Sequence, residues 1–181
     1  MAETLNRRPP KVTARAWRIP LPAASRWSLR GGPDVVAAAS TAIGIALPTT
    51  ACRAVTNGER SALWLGPDEH LLIAPEGAHD AVAATLAAGL AGIPHSLVDV
   101  SHRQVAFEIQ GAHAAWLLNG GCPLDLDPNA FPVGMCTRTL YMKAEITLWR
   151  TASDRFRVEV WRSFADYVVG LLDEAARELP A

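Results

Sequence analysis

The sequence predicts an α+β fold, two ferredoxin-like (split βαβ) halves packed as one body, and two observations predict it. The first lies near the C-terminus. Ile146 and Leu148 alternate with Glu145, Thr147 and Trp149, and Phe156, Val158 and Val160 alternate with Arg155, Arg157, Glu159 and Trp161. A period of two marks strands with one buried face, and the turn-rich run from Thr151 to Asp154 joins them as a hairpin. Ser163 is expected to cap the helix that follows, with Asp166 completing a Ser-x-x-Asp capping box. Phe164, Tyr167, Val168, Leu171, Leu172 and Ala175 then fall on one helical face. The second observation is an internal rhyme. The run from Trp27 to Pro33 precedes a helix as the run from Phe107 to His113 does, and the hairpin and helix of 62–90 echo those of 145–175. Each half reads strand–helix–strand–strand–helix.

Taken in order, residues 1–22 carry Pro9, Pro10, Pro20 and Pro22 among basic residues without a periodic pattern, and read as an extended arm. Residues 23–181 are expected to form a single α+β domain of two pseudo-repeats, about 23–95 and 96–178. Trp27 and Leu29 open a strand ending at Gly31 and Gly32. Pro33 suits the first turn of a helix because its missing N–H costs nothing there; Val35, Val36, Ala39 and Ile43 form its face and Gly44 its stop. Strands are expected at about 62–66 and 70–74, joined by a turn from Gly66 to Glu69. A second helix runs from Gly77 to Leu90, with Val82, Leu86 and Leu90 on one side. Ser96 to Ile109 reads as one strand bent near His102, and Ala112 to Asn119 as a helix closed by Gly120 and Gly121. Residues 122–135 hold three prolines and read as irregular.

Composition narrows the function. Half of the 181 residues are apolar and the net charge is −1, so the chain lacks the basic surplus that nucleic-acid binding needs. Three cysteines, far apart and without Cys-x-x-Cys, suggest neither a disulfide framework nor a zinc knuckle, and point to a reducing cytoplasm. Its longest apolar run, Ala81 to Pro94, is too short for a membrane span, and Met1 to Pro22 has no apolar centre of the kind a secretion signal needs.

No catalytic motif emerges. The five histidines show no metal-ligand spacing, no serine sits in Gly-x-Ser-x-Gly, and Gly31-Gly32 lacks the third glycine of a dinucleotide fingerprint. Asp99, Ser101 and Arg103 alternate along the expected strand and would share a face. They either line a cleft, with Arg103 offered to a carboxylate or phosphate, or satisfy local backbone where the strand bends. Arg138, Arg150 and Arg162 with Trp149 and Trp161 concentrate residue types favoured at interfaces. Arg138, Trp149, Trp161 and Arg162 are the candidates for partner contact, against the alternative that the indoles belong to a second core.

Resemblance adds to this. The run Val98 to Arg103 (Val-Asp-Val-Ser-His-Arg) followed by Gln110 to Leu118 is similar to a block in the folate-binding aminomethyltransferases, which include the glycine-cleavage T-protein. Trp64 to Leu72, Gly121 to Leu126, Cys136 to Leu140 and Glu159 to Val168 together resemble the gamma-subunit family of heterotetrameric sarcosine oxidases, over about residues 25–175. The resemblance implies a non-catalytic subunit. Its complex converts sarcosine to glycine, passes the methyl carbon to tetrahydrofolate as 5,10-methylenetetrahydrofolate, and sends electrons through flavins to oxygen, giving hydrogen peroxide. FAD, FMN, NAD, tetrahydrofolate and zinc are then expected on other subunits, with none bound by this chain. Its partners would be the alpha, beta and delta subunits, alpha most directly. The aminomethyltransferases carry a Gly-Gly turn before a folate-handling Asp; here the stretch is Tyr141 to Glu145, with Glu145 in the place of the Asp and the glycines absent. An alternative is a stand-alone tetrahydrofolate-binding protein of aminomethyltransferase type, with Asp99, Arg103 and Glu145 as its pocket contacts; in a subunit the same three would be a vestigial folate pocket.

Overall fold

The computed structural model describes residues 17–179. These divide into two compact units, one made of residues 23–102 and the other of 17–22 with 103–179. The chain enters as β1 (Trp17–Pro20), which belongs to the second of these; residues 1–16 of the expected arm lie outside the described residues.

The unit 23–102 contains β2 (Ala24–Arg30), α1 (Pro33–Ile43), β3 (Ala54–Asn57), β4 (Arg60–Gly66), β5 (Glu69–Pro75), α2 (His79–Gly89) and β6 (Ser96–Asp99). Its sheet has the order β3-β4-β5-β2-β6, antiparallel throughout. With β3 set aside, this is the fourth–first–third–second order of a ferredoxin-like unit. Pro33 sits in the first turn of α1, and Gly44 ends it in the left-handed region at φ +67, where a residue without Cβ is unstrained. Asn57 Nδ2 and Arg60 Nη1 donate to the last carbonyls of α1, those of Gly44 and Ile43, so groups that helix geometry leaves open are satisfied from the β3–β4 hairpin. Trp27, Leu29, Val35, Ala39, Leu72, Val82 and Leu86 form the core between helices and sheet. The alanine and glycine content of α1 and α2 has a packing cause: a Cβ on Gly89 would stand 2.8 Å from that of Ala42.

The other unit adds β7 (Gln104–Gln110), α3 (Ala114–Asn119), β8 (Cys136–Tyr141), β9 (Ala144–Ala152), β10 (Arg155–Trp161) and α4 (Arg162–Arg177). Its order is β1-β7-β10-β9-β8, again antiparallel. The same ferredoxin-like arrangement results, with β1 as the fourth strand. The core gathers Phe107, Ile109, Leu117, Leu118, Ile146, Leu148, Phe156, Val158, Val168 and Leu172. Among the described residues, no helix is long and apolar enough to cross a membrane.

The architecture is the expected α+β one, with several local differences. Trp17–Pro20, read as part of the arm, is a strand paired to β7, and Leu21 N–H continues the pairing to Ala106 O. The single bent strand over 96–109 is two strands: β6 pairs with β2 in one sheet and β7 with β10 in the other. The division accordingly falls between His102 and Arg103, later than a boundary near residue 95. Ser163 makes no capping bond, because β10 runs straight into α4 and Arg162 N–H donates to Arg103 O at 2.8 Å, which takes over the cap's task. The buried face of α4 is Ala165, Val168 and Leu172. Phe164 and Tyr167, which spacing places on the same face as Val168 and Leu172, are exposed.

Candidate functional site

The residues singled out from the sequence sort into separate groupings. In the unit 23–102, β6 stops at Asp99 because that carboxylate closes a turn. Asp99 Oδ1 accepts the Ser101 N–H at 2.8 Å and its hydroxyl at 2.5 Å. Ser101 Oγ in turn accepts the Arg26 N–H at 2.9 Å, and Val100 N–H donates to Arg26 O, so the turn is pinned to β2. The second carboxylate oxygen meets His79 Nε2 at 3.1 Å. His79 opens α2, stacks on Trp27 with ring centroids 5.2 Å apart, and touches Asp80 through Nδ1 at 3.1 Å.

This is a serine, an aspartate and a histidine in contact, but in an order unsuited to nucleophilic catalysis. A relay needs the imidazole on the hydroxyl, able to take its proton. Here the carboxylate sits between them. Its hydrogen bond from Ser101, with help from His79, holds Asp99 below the usual carboxylate range, so it is a poor base. The side chains of Asp80 and then Asp99 push His79 above its ordinary value, since both favour the imidazolium. The group therefore works as an electrostatic latch between the start of α2 and the end of β6. The sequence offers His79 only as a surface or satisfied residue, because its partner Asp99 lies 20 positions away and no spacing rule connects them.

Arg103 does not lie on the strand with Asp99. It begins the return into the other unit, with its guanidinium over the Trp161 ring, 5.2 Å from the centroid, a cation–π contact. Glu145 lies on β9 with its side chain half exposed and pairs with Arg138 on β8 at 3.8 Å. Two residues selected for different reasons, Glu145 for folate and Arg138 for a partner, are thus joined. Trp161 is exposed, whereas Trp149 is half-buried and its indole N–H is buried without a hydrogen-bond partner among the described residues. Arg162 is exposed at the first position of α4.

Arg150 departs most from expectation. Grouped with the interface arginines in the sequence, it is buried. Nη1 donates to Leu126 O at 3.1 Å and Phe131 O at 2.8 Å, and Nη2 to Ser153 O at 2.5 Å. The first two bonds hold the proline-rich crossing segment onto β9, and the third ties β9 to the turn before β10. Also missed was the β8–β9 turn. Tyr141 pairs with Ala144, leaving Met142 and Lys143 as a two-residue turn in which Met142 adopts φ +52. Such turns require the left-handed region, and the usual Asn-Gly or Asp-Gly signal is absent.

A model of the sarcosine oxidase, gamma subunit family matches residues 30–178. The chain belongs to that family. It is 37% identical over 148 residues to the sarcosine oxidase subunit gamma of Corynebacterium sp. (strain P-1), an alignment covering 81% of this chain and 72% of that one. Among solved structures it is similar to a chain of the heterotetrameric sarcosine oxidase from Corynebacterium sp. U-96, with a TM-score of 0.87 at 30% identity, covering 94% of this chain and 88% of that one. The fold is also that of the glycine cleavage system aminomethyltransferase T from Bartonella henselae, with a TM-score of 0.70 at 18% identity, over 91% of this chain and 47% of that one. The fold is therefore aminomethyltransferase-like, with Met142 and Lys143 at its β8–β9 turn.

Proposed function

We propose that this chain is the gamma subunit of a cytoplasmic heterotetrameric sarcosine oxidase, a non-catalytic piece that docks on the alpha subunit and stabilises the assembly. The observation that carries the reading is the likeness, over nearly the whole chain, to a chain of a solved heterotetrameric sarcosine oxidase. The geometry supports it: the one contact of serine, aspartate and histidine described above is ordered as a latch, and Glu145 is engaged with Arg138. In this reading the complex turns sarcosine into glycine, forming 5,10-methylenetetrahydrofolate and hydrogen peroxide. FAD, FMN, NAD, tetrahydrofolate and zinc reside on the alpha, beta and delta chains.

The test is co-expression of this chain, tagged, with candidate alpha, beta and delta chains. A yellow four-chain complex producing peroxide in the presence of sarcosine is the expected result. Recovery of this chain alone would overturn the reading. Titration of the isolated chain with tetrahydrofolate should give no heat at concentrations far above micromolar; saturable heat that E145Q removes would favour the stand-alone folate-binding alternative instead.

A further inference from the structure

Helix α4 has a second apolar face that the described residues of its own unit leave uncovered. Phe164, Tyr167 and Leu171 follow one another at helical spacing, beside the buried line of Ala165, Val168 and Leu172. Phe164 is 41% and Tyr167 40% exposed. The same side continues past Leu171 into a groove of about 460 Å³ walled by α4, by Trp116 on α3 and by Met142 of the β8–β9 turn. Trp116 and Met142 are 47% and 50% exposed. Phe164, Tyr167, Trp116 and Met142, with Leu171 linking the stripe to the groove, are of the aromatic, methionine and apolar types that interface centres favour.

The rim says what kind of surface fits. Past Leu171, the stripe ends in Glu174 and Glu178, which also line the groove. Carboxylates in the last turn of a helix face the negative end of its dipole and are disfavoured there. Arg177 answers Glu174 at 3.1 Å, and Glu178 has no ion-pair partner among the described residues. A cation arriving from outside would relieve both the dipole conflict and the surplus charge. The feature is thus apolar along its first half and acidic at its far end, about 15 Å from Phe164 to Glu174 at helical rise.

We infer that the Phe164–Tyr167–Leu171 stripe, with the groove formed by Trp116 and Met142, is the docking surface for a partner subunit. The occupant is a segment of that subunit which lays apolar side chains along the stripe and sets a Lys or Arg against Glu174 and Glu178. This rests on the assembly reading above and specifies the face it uses. Met142, at the β8–β9 turn, is then a wall of a protein-binding groove.

Capture of the partner chains by tagged wild-type, F164E, E178K and V98E chains, co-expressed with the other subunits, tests this. Because Phe164 and Glu178 are exposed, neither change should unfold the chain, and circular dichroism of each free variant checks that. F164E should weaken capture by about thirtyfold, as expected for loss of an interface anchor. E178K should weaken it about fivefold, with the wild-type gap narrowing as salt rises, and V98E should leave it unchanged. If F164E and E178K capture partners as wild type does, the surface assignment is wrong while the assembly reading stands. If the wild-type chain captures nothing, the assembly reading itself has failed. A free wild-type chain that is a dimer in light scattering, and a monomer as F164E, would assign the stripe to a second copy and overturn the partner-subunit proposal.

Discussion

Replacing Arg150 tests how the irregular segment 122–135 is held. Arg150 is 4% exposed, and the three donor contacts of its guanidinium end on the carbonyls of Leu126, Phe131 and Ser153. Its ζ carbon lies 4.9 Å from the Phe156 ring centre. The backbone of Arg150 adds two bonds, N–H to Met135 O and Gly134 N–H to its carbonyl, and these survive mutation. Hydrogen bonds to a charged donor contribute about 1.5–3 kcal/mol each, but the full sum is not available, because the variant no longer has to bury a charge. Leaving a buried carbonyl without its donor costs about 1–3 kcal/mol, so with three carbonyls affected R150A should lose about 4 kcal/mol in urea unfolding, much of a domain's total stability. R150M keeps the apolar stem against Phe156 and should recover only about 1 kcal/mol of that loss, since the carbonyls remain unanswered. If R150M unfolds within about 1 kcal/mol of wild type, those carbonyls do not depend on the guanidinium and the reasoning fails.

The latch gives a signed pH dependence. His79 is raised above 6.5 in the folded state, so its contribution is fully present below pH 6.5 and lost as pH rises through the folded value. Asp99 is lowered from 3.8, so its contribution is present above 3.8 and lost as pH falls further. The stability gap between wild type and H79Q should therefore be widest between those two unperturbed values and close on the alkaline side; a gap independent of pH would refute the pairing. Burial, with the nearby Cys122 adding to it, pushes the Tyr141 phenol up to about 12. Ultraviolet titration should show one of the two tyrosines ionising only near there. G121A, whose Cβ would fall 2.7 Å from the Tyr141 ring, should cost about 1–3 kcal/mol and bring that transition down. M142G should raise stability by up to about 1 kcal/mol by relieving left-handed backbone while weakening partner capture. A destabilised M142G would remove the strain argument.

Long periodic stretches were legible in the sequence because burial on one face writes itself into spacing. The alternation from Glu145 to Trp149 and from Arg155 to Trp161 became β9 and β10, and Val82 and Leu86 became the buried side of α2. The short strands were less legible. β3 has no buried residue, and β8 buries only its two ends, Cys136 and Tyr141, so neither carries a run of alternation. In α4 the apolar arc was read whole, and spacing cannot say which edge of a broad arc the domain itself covers. At the candidate site the limit is of another kind. Ser101 and Asp99 are two positions apart and their turn is local, whereas His79, Trp27 and Arg26 reach them only through tertiary structure. For Arg150 the residue type misled: arginine is a common interface residue, and only the surrounding carbonyls show why this one is inside.

The N-terminal strand shows how topology can hide a structural element. The unit 23–102 completes its sheet from its own continuous sequence, with β6 following α2 as the fourth strand. The unit that ends with α4 has no strand after that helix among the described residues, and its fourth place is filled by β1, where Trp17 pairs with Gln110. The chain must therefore lay down the whole of 23–102 before β1 can find β7, a non-local pairing of the kind that closes late in folding. Arg18 fixes the arrangement from the side: buried on β1, it reaches Asp173 of α4 at 3.7 Å. A four-residue strand ending in proline has too little sequence to announce itself, and it also lies outside the stretch that the family model matches. Yet it sets the edge of the sheet on which α4 rests, so the helix that carries the proposed docking stripe depends on residues at the far end of the chain.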